Sequence, residues 1–228
     1  MINNNERLEI LNNLVKNGVE IPCFDGVIID PSVKIEKCAI VMPGTILLGK
    51  TTIGEGSVIG PNSYISDTTV GCNTKLNNTQ AFSSEIGDGV TAGPFVHIRP
   101  NTKIADNVHI GNFVEVKNST VDEGSKLPHL LYVGDSDVGK DVNFGCGCVT
   151  VNYDGRNKSR TVVKDGAFIG CNTNLVAPVT VGENAFTAAG STITEDVPDN
   201  SLAVARSRQS VKENWVNIKK PYKRQHIK

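Results

Sequence analysis

A chain of 228 residues is long enough for one sizeable core, and its formal charge of −1 offers no net attraction to nucleic acid or to an anionic membrane. Aromatic residues make up 5% of the chain while glycine occurs 22 times, which favours stacked, repetitive β structure over a conventional sandwich. The opening residues Met1 to Arg7 hold no basic n-region or apolar stretch, and no run is apolar enough for a membrane helix. The expectation is therefore a cytoplasmic protein without membrane insertion, with Cys23, Cys38, Cys72, Cys146, Cys148 and Cys171 reduced.

In chain order, Leu8, Leu11, Leu14 and Val15 are spaced for a short amphipathic helix over 6–17, with Gly18 as its stop. Residues 1–20 read as a linker-like segment capping the end of the domain that begins after them. From Ile29 the sequence is periodic in six. Ile29-Asp30-Pro31-Ser32-Val33-Lys34, Ile53-Gly54-Glu55-Gly56-Ser57-Val58 and Ile86-Gly87-Asp88-Gly89-Val90-Thr91 are typical. Position one is branched and apolar, position two is often Gly, and position five is small. Such a hexad makes one short strand and one turn, with positions one and five inward and Gly or Asn where φ must be positive. Three hexads close a triangular coil of about eighteen residues, and stacked coils share a core that none could bury alone.

The expected fold is thus all-β, a parallel β-helix of hexapeptide repeats over 21–204, followed by a C-terminal arm over 205–228. Residues 77–85 blur the period and are expected to form an irregular coil. Residues 150–162 interrupt it with Asn152-Tyr153-Asp154-Gly155-Arg156-Asn157-Lys158, a hydrophilic loop with a turn signal at Asp154-Gly155. The period ends after Pro198. The basic tail from Lys219 to Arg224 reads as a solvated or subunit-crossing arm rather than a nucleic-acid site.

Chemistry-bearing side chains gather between Arg99 and Tyr153. Arg99 and Lys117 share hexad position two one coil apart, so they stack at about 4.8 Å. Either a phosphate lies between them, or both are surface charges neutralised by Glu115, Asp122 or solvent. His129 suits a general base that takes a proton from an ammonium group. His97 and His109 fall on different sides of the coil, so a zinc site is not expected from them or from His226. Cys148, at a fifth position, reads as an inert core thiol. Cys146 and Cys171, at third positions, are expected at the turns, where they could line a cleft.

From about Gly18 to Lys220 the chain resembles the C-terminal acetyltransferase domain of the bacterial bifunctional uridyltransferase/glucosamine-1-phosphate acetyltransferases, within the hexapeptide-repeat acyltransferases. The residues that carry the resemblance are Gly93-Pro94-Phe95 to Arg99-Pro100, Ile110 to Lys117, His129-Leu130 with Tyr132, Asn143, Asn152-Tyr153-Asp154-Gly155 with Asn157-Lys158, Leu175 to Val179, Ala188-Ala189-Gly190, and Arg206 with Gln209. The resemblance implies a left-handed β-helix and a homotrimer with sites between subunits. It implies Arg99, Lys117, Tyr132 and Asn143 as ligands of a phosphosugar and His129 as base. It also implies Cys146, Asn152, Tyr153, Cys171, Ala189 and Arg206 along an acetyl-CoA channel, with no metal needed for acetyl transfer. Glu115 could orient His129 or bind the substrate ammonium. Leu127-Pro128 and Leu131 stand where the family carries small or polar residues, which leaves room for another amino sugar or nucleotide sugar as acceptor. Only about twenty residues precede the β-helix, so the expectation is either a separate uridyltransferase partner or a chain that is a truncated piece or relic of a longer one. A non-catalytic trimeric scaffold for that partner is the reading from another class.

Overall fold

The computed structural model describes residues 3–219, and the tail residues Lys220 to Arg224, with His226, lie outside the described residues. The described chain is a parallel β-solenoid of about ten coils with a short helix at each end, in agreement with the left-handed β-helix that the resemblance implies.

Each coil has three faces. The first is represented by Ile28–Ile29, Ile46–Leu48 and Tyr64–Ser66, the second by Lys34–Ile35, Thr52–Ile53 and Thr69–Val70, and the third by Ile40–Val41, Val58–Ile59 and Lys75–Leu76. Every ladder between these strands is parallel, for example Ile28 with Ile46 and Ile46 with Tyr64. The inward residues are those the hexad pattern selects. Ile29, Leu47, Ile53, Ile59 and Ile65 fill the core, and the small fifth-position residues Ala39, Thr45, Thr51, Ser57 and Ser63 are equally buried.

The hydroxyls among them are not orphaned. Ser57 Oγ donates to the Gly71 carbonyl (2.7 Å) and accepts from the Thr74 N–H (2.9 Å), joining two coils through the core. Ser57→Ala leaves both backbone groups short of a partner and is expected to cost about 1–2 kcal/mol, read as a lowered denaturant midpoint at unchanged slope.

Residues 77–85 are not irregular. Thr79–Phe82 and Glu85–Ile86 are strands in register with their neighbours. The period blurs because coils shorten here: Tyr64 pairs with Gln80 and Gln80 with His97, steps of sixteen and seventeen residues where the first coils take eighteen. The corners absorb the loss at left-handed residues such as Asp67 (φ 50°) and Ser83 (φ 44°).

The N-terminal helix spans Asn4–Lys16, starting earlier than the apolar spacing suggests. Asn3 caps it by accepting from the Asn5 and Glu6 N–H groups, and Glu6 returns the bond to the Asn3 N–H, a capping box. Leu11 is buried against the solenoid, while Val15, expected on the same stripe, is exposed. Arg7 fixes the helix by donating to the Phe24 and Val27 carbonyls. At the other end the ladder continues past Pro198 to Leu202–Ala203, which pairs with Phe186–Thr187. The arm then contains a short helix, Trp215–Lys219, that the hexad pattern does not foresee.

Candidate active site

Two long strands, His109–Lys117 and Lys126–Gly134, run round a corner from the third face onto the first and pair along most of their length. They position most of the chemistry. At the corner where the first face begins, Asn112 stacks on His129. His129 Nδ1 lies 3.1 Å from Asn112 Oδ1. An amide oxygen can only accept, so Nδ1 donates, and in the neutral ring Nε2 is then the nitrogen that carries the lone pair a general base requires.

The same corner continues upward through Cys146, Cys171 and Ala189. Gly147 N–H donates to the His129 and Leu130 carbonyls, Asn172 N–H to the Cys146 carbonyl and Gly190 N–H to the Cys171 carbonyl. Arg206 lies beside Gly190. Cys146 and Cys171 are exposed, as their third positions suggest, whereas Cys148 is buried and donates to the Gly170 carbonyl (3.1 Å). Burial pushes the Cys148 thiol up to about 11, so it is inert.

A left-handed column borders this ladder. Phe95 (φ 61°), Phe113 (φ 58°) and Leu130 (φ 49°) occupy turn positions that Gly147 and Asn172 fill in later coils. Bulky residues are disfavoured there. The Phe95 and Phe113 rings stack at 5.3 Å, and all three side chains are exposed, making an apolar ridge next to His129.

The opposite corner, where the first face ends, holds the cations. Arg99 and Lys117 stack as the coil arithmetic predicts. Each already has an acidic partner: Arg99 Nη1 meets Glu115 Oε1 at 2.8 Å, and Lys117 Nζ meets Asp135 Oδ2 at 3.4 Å. Glu115 therefore serves Arg99 rather than His129, and Asp122 neutralises neither cation. Both cations retain further N–H donors for an anion. Tyr132 joins this group, since its hydroxyl lies over Gly134, the register partner of Lys117.

Asp135 is the group's buried centre. It accepts from Asn118 Nδ2 (2.5 Å), from Asn152 Nδ2 and from Lys117. Burial alone raises its carboxyl, but the two amide hydrogen bonds and the Lys117 cation outweigh that and hold it below the usual carboxylate range.

The loop that breaks the period leaves from this corner. Asn152 is buried against Asp135, Tyr153 is exposed with its hydroxyl donating to the Gly155 carbonyl (2.7 Å), and Asp154 accepts from the Arg156 and Asn157 N–H groups to form the turn. Arg160 closes the loop by gripping Asp137 and the Ser136 and Asn118 carbonyls. Within one chain, then, Asn152 does not meet Cys146, Cys171 and Ala189. Asn143 lies on the third face between Lys126 and Phe168, away from Arg99 and Lys117.

His129 and the cation pair are thus at opposite edges of the first face, separated along the strands by roughly 16 Å at about 3.3 Å per residue. Asn112, Asn118, Asp135 and Arg160 escape the sequence reading. The first three lie one coil from His129, Asp135 and Asn118 respectively, so the coil arithmetic that paired Arg99 with Lys117 could have found them. Among the described residues no three His, Cys, Asp or Glu side chains converge as metal ligands, and no helix is long and apolar enough to cross a membrane. His97 packs edge-on against Phe82 on the first face, and His109 pairs with Thr91 on the third.

The model of bacterial transferase hexapeptide (six repeats) matches residues 32–67, 83–118 and 160–195. The chain is 55% identical over 211 residues to the bifunctional protein GlmU of Geobacillus sp. (strain WCH70), covering 92% of this chain and 46% of that protein. Against the bifunctional protein GlmU of Clostridioides difficile (strain 630) it is 50% identical over 203 residues, 89% of this chain and 44% of that protein. The chain therefore spans somewhat under half the length of these curated relatives. Among solved structures it is similar to an Arabidopsis UDP-N-acetylglucosamine acyltransferase, with a TM-score of 0.57 at 16% identity, covering 83% of this chain and 68% of that one. That likeness speaks to the fold.

Proposed function

Since the chain is a hexapeptide-repeat protein whose domain matches the C-terminal part of the bifunctional GlmU proteins, we propose that it is a cytoplasmic glucosamine-1-phosphate N-acetyltransferase. It moves the acetyl group of acetyl-CoA to the 2-amino group of the sugar, a step towards UDP-N-acetylglucosamine and cell-wall precursors. The observation that carries the reading is the His129–Asn112 pair. It turns the Nε2 edge of the ring to an exposed corner that continues into an open ladder of small and thiol side chains.

Nε2 of His129 takes the proton from the substrate ammonium, which restores the lone pair needed for attack on the thioester carbon. Asn112 holds the ring and shares the imidazolium charge. Backbone N–H groups or an Asn amide stabilise the oxyanion, the proton held by His129 goes to the departing thiolate, and the attacking nitrogen releases its second proton to solvent as the neutral amide forms. Arg99 and Lys117, pre-aligned by Glu115 and Asp135, bind the sugar phosphate with Tyr132 over it. Asn143, from its place on the third face, is a further ligand of the sugar, while Cys146, Cys171 and Ala189 with Arg206 line the acetyl-CoA groove, which Asn152 and Tyr153 complete.

One chain holds the base and the cations too far apart to share a sugar, which supports a homotrimer in which the His129 corner of one subunit meets the cation corner of the next. Two surfaces support that packing. The first face presents Ile46, Tyr64, Phe82 and Val149 outward, while the second presents Lys34, Thr52, Glu85 and Lys103. The strained ridge of Phe95, Phe113 and Leu130 gains by being covered.

The test is thiol release from acetyl-CoA with glucosamine 1-phosphate, beside glucosamine 6-phosphate and a UDP-amino sugar. Turnover with glucosamine 1-phosphate alone is expected. Turnover with another of these amines instead would replace the acceptor and keep the chemistry. No turnover by a folded trimer would favour a scaffold.

A further inference from the structure

Cys146 and Cys171 are both exposed and, unlike exposed Cys38, stand at the same corner position on successive coils, as the Asn172 N–H to Cys146 carbonyl bond (2.8 Å) fixes. Successive coils lie about 4.8 Å apart, inside the roughly 4.4–6.8 Å Cα range of a disulfide. Gly145 leaves room for the Cys171 thiol. A Cβ built there would lie 2.9 Å from Cys171 Sγ, so the Cys171 thiol leans back onto the coil that carries Cys146. Cys148 is buried two residues away, Cys23 and Cys72 are partly buried, and Cys38, though exposed, lies far off on the first coils beside Gly18.

We propose that Cys146 and Cys171 form a vicinal dithiol that small-molecule disulfides oxidise reversibly to one intramolecular disulfide. The thiolate of one cysteine attacks the S–S bond of the small disulfide, forming a mixed disulfide and expelling one thiolate. The second cysteine then attacks the protein sulfur of that mixed disulfide and expels the other half. The protein pair loses two electrons and two protons, and the small disulfide leaves as two thiols. The pair sits in the ladder directly above His129. Resting on the reading of that ladder as the acetyl-CoA groove, oxidation also raises the KM for acetyl-CoA and leaves the KM for the amino sugar unchanged.

The experiment treats the folded protein with oxidised glutathione and follows intact mass and peptide masses, a readout independent of any activity. Cys146 and Cys171 of the native chain are expected to lose two hydrogens without retaining glutathione at either position, whatever adduct exposed Cys38 carries, to yield a peptide linking Cys146 to Cys171, and to revert with dithiothreitol. Cys146→Ser and Cys171→Ser, each lacking the resolving thiol, are expected to retain one glutathione on the remaining cysteine of the pair. Separate glutathione adducts on both cysteines of the native chain, a link to another cysteine or between chains, or no reaction at either position would overturn the proposal.

Discussion

His129→Ala is expected to lower kcat by about 10²–10⁴-fold, the usual contribution of a positioned general base, with a much smaller change in either KM. The side chain is exposed and its one side-chain hydrogen bond is to Asn112, so its loss should leave the melting temperature nearly unchanged. That separation of activity from stability identifies a chemical rather than a structural role. Asn112→Ala removes the group that fixes the ring. It is expected to lower kcat by roughly tenfold, since the base survives but spends less time oriented. Turnover of His129→Ala within tenfold of the native chain would remove His129 as base.

The largest stability effect is expected at Asp135. Asp135→Ala leaves the mostly buried Lys117 ammonium and the Asn118 and Asn152 amides without their shared acceptor. Removing one partner of a buried ion pair costs about 3–5 kcal/mol. Lys117 keeps some access to water, so about 3 kcal/mol is expected here, a fall in Tm of roughly 10 °C for a chain of this length. Activity should fall too, through a raised KM for the sugar phosphate. Lys103→Ala is the control: its pair with Glu85 is exposed on the second face and should change stability by less than about 1 kcal/mol. The pH dependence has a definite sign. The carboxyl of Asp135 is held below its ordinary value, so its contribution is complete above about pH 4 and is lost as pH falls through the folded-state pKa. The stability gap between the native chain and Asp135→Asn should therefore narrow in acid, as measured by denaturant midpoints across pH.

Much of the fold was legible because a solenoid repeats one local rule. Ile59 and Ser63 point inward for the same reason as Ile53 and Ser57, and the separation of inert Cys148 from exposed Cys146 and Cys171 follows from hexad position alone. The rule fails where a corner drops a residue. At Thr79–Phe82 the inward pattern persists, but the count of six does not, so a regular strand looks irregular. The helix start was hidden because Asn3 and Glu6 act through the backbone, which apolar spacing does not register.

The proposed site could be read from the sequence as a list of candidate residues and not as an arrangement. Coil arithmetic placed Arg99 over Lys117, yet it did not say that Glu115 and Asp135 neutralise them, because two outcomes were open for each charge. The placement of Asn152 against Asp135 depends on where the excursion leaves its coil. The left-handed Phe95, Phe113 and Leu130 follow from their place in the turn column, where Gly or Asn is the ordinary occupant.

The central claim is that one active site takes its base from one chain and its cations from the next. It is tested most directly by co-assembling His129→Ala chains with Lys117→Ala chains and measuring thiol release. Each variant alone should be nearly inactive. In randomly mixed trimers each site draws the two residues from different chains, so about a quarter of the sites should be intact and activity should return to about that level. Mixed trimers as inactive as either parent would contradict the claim and place both residues of each site on one chain.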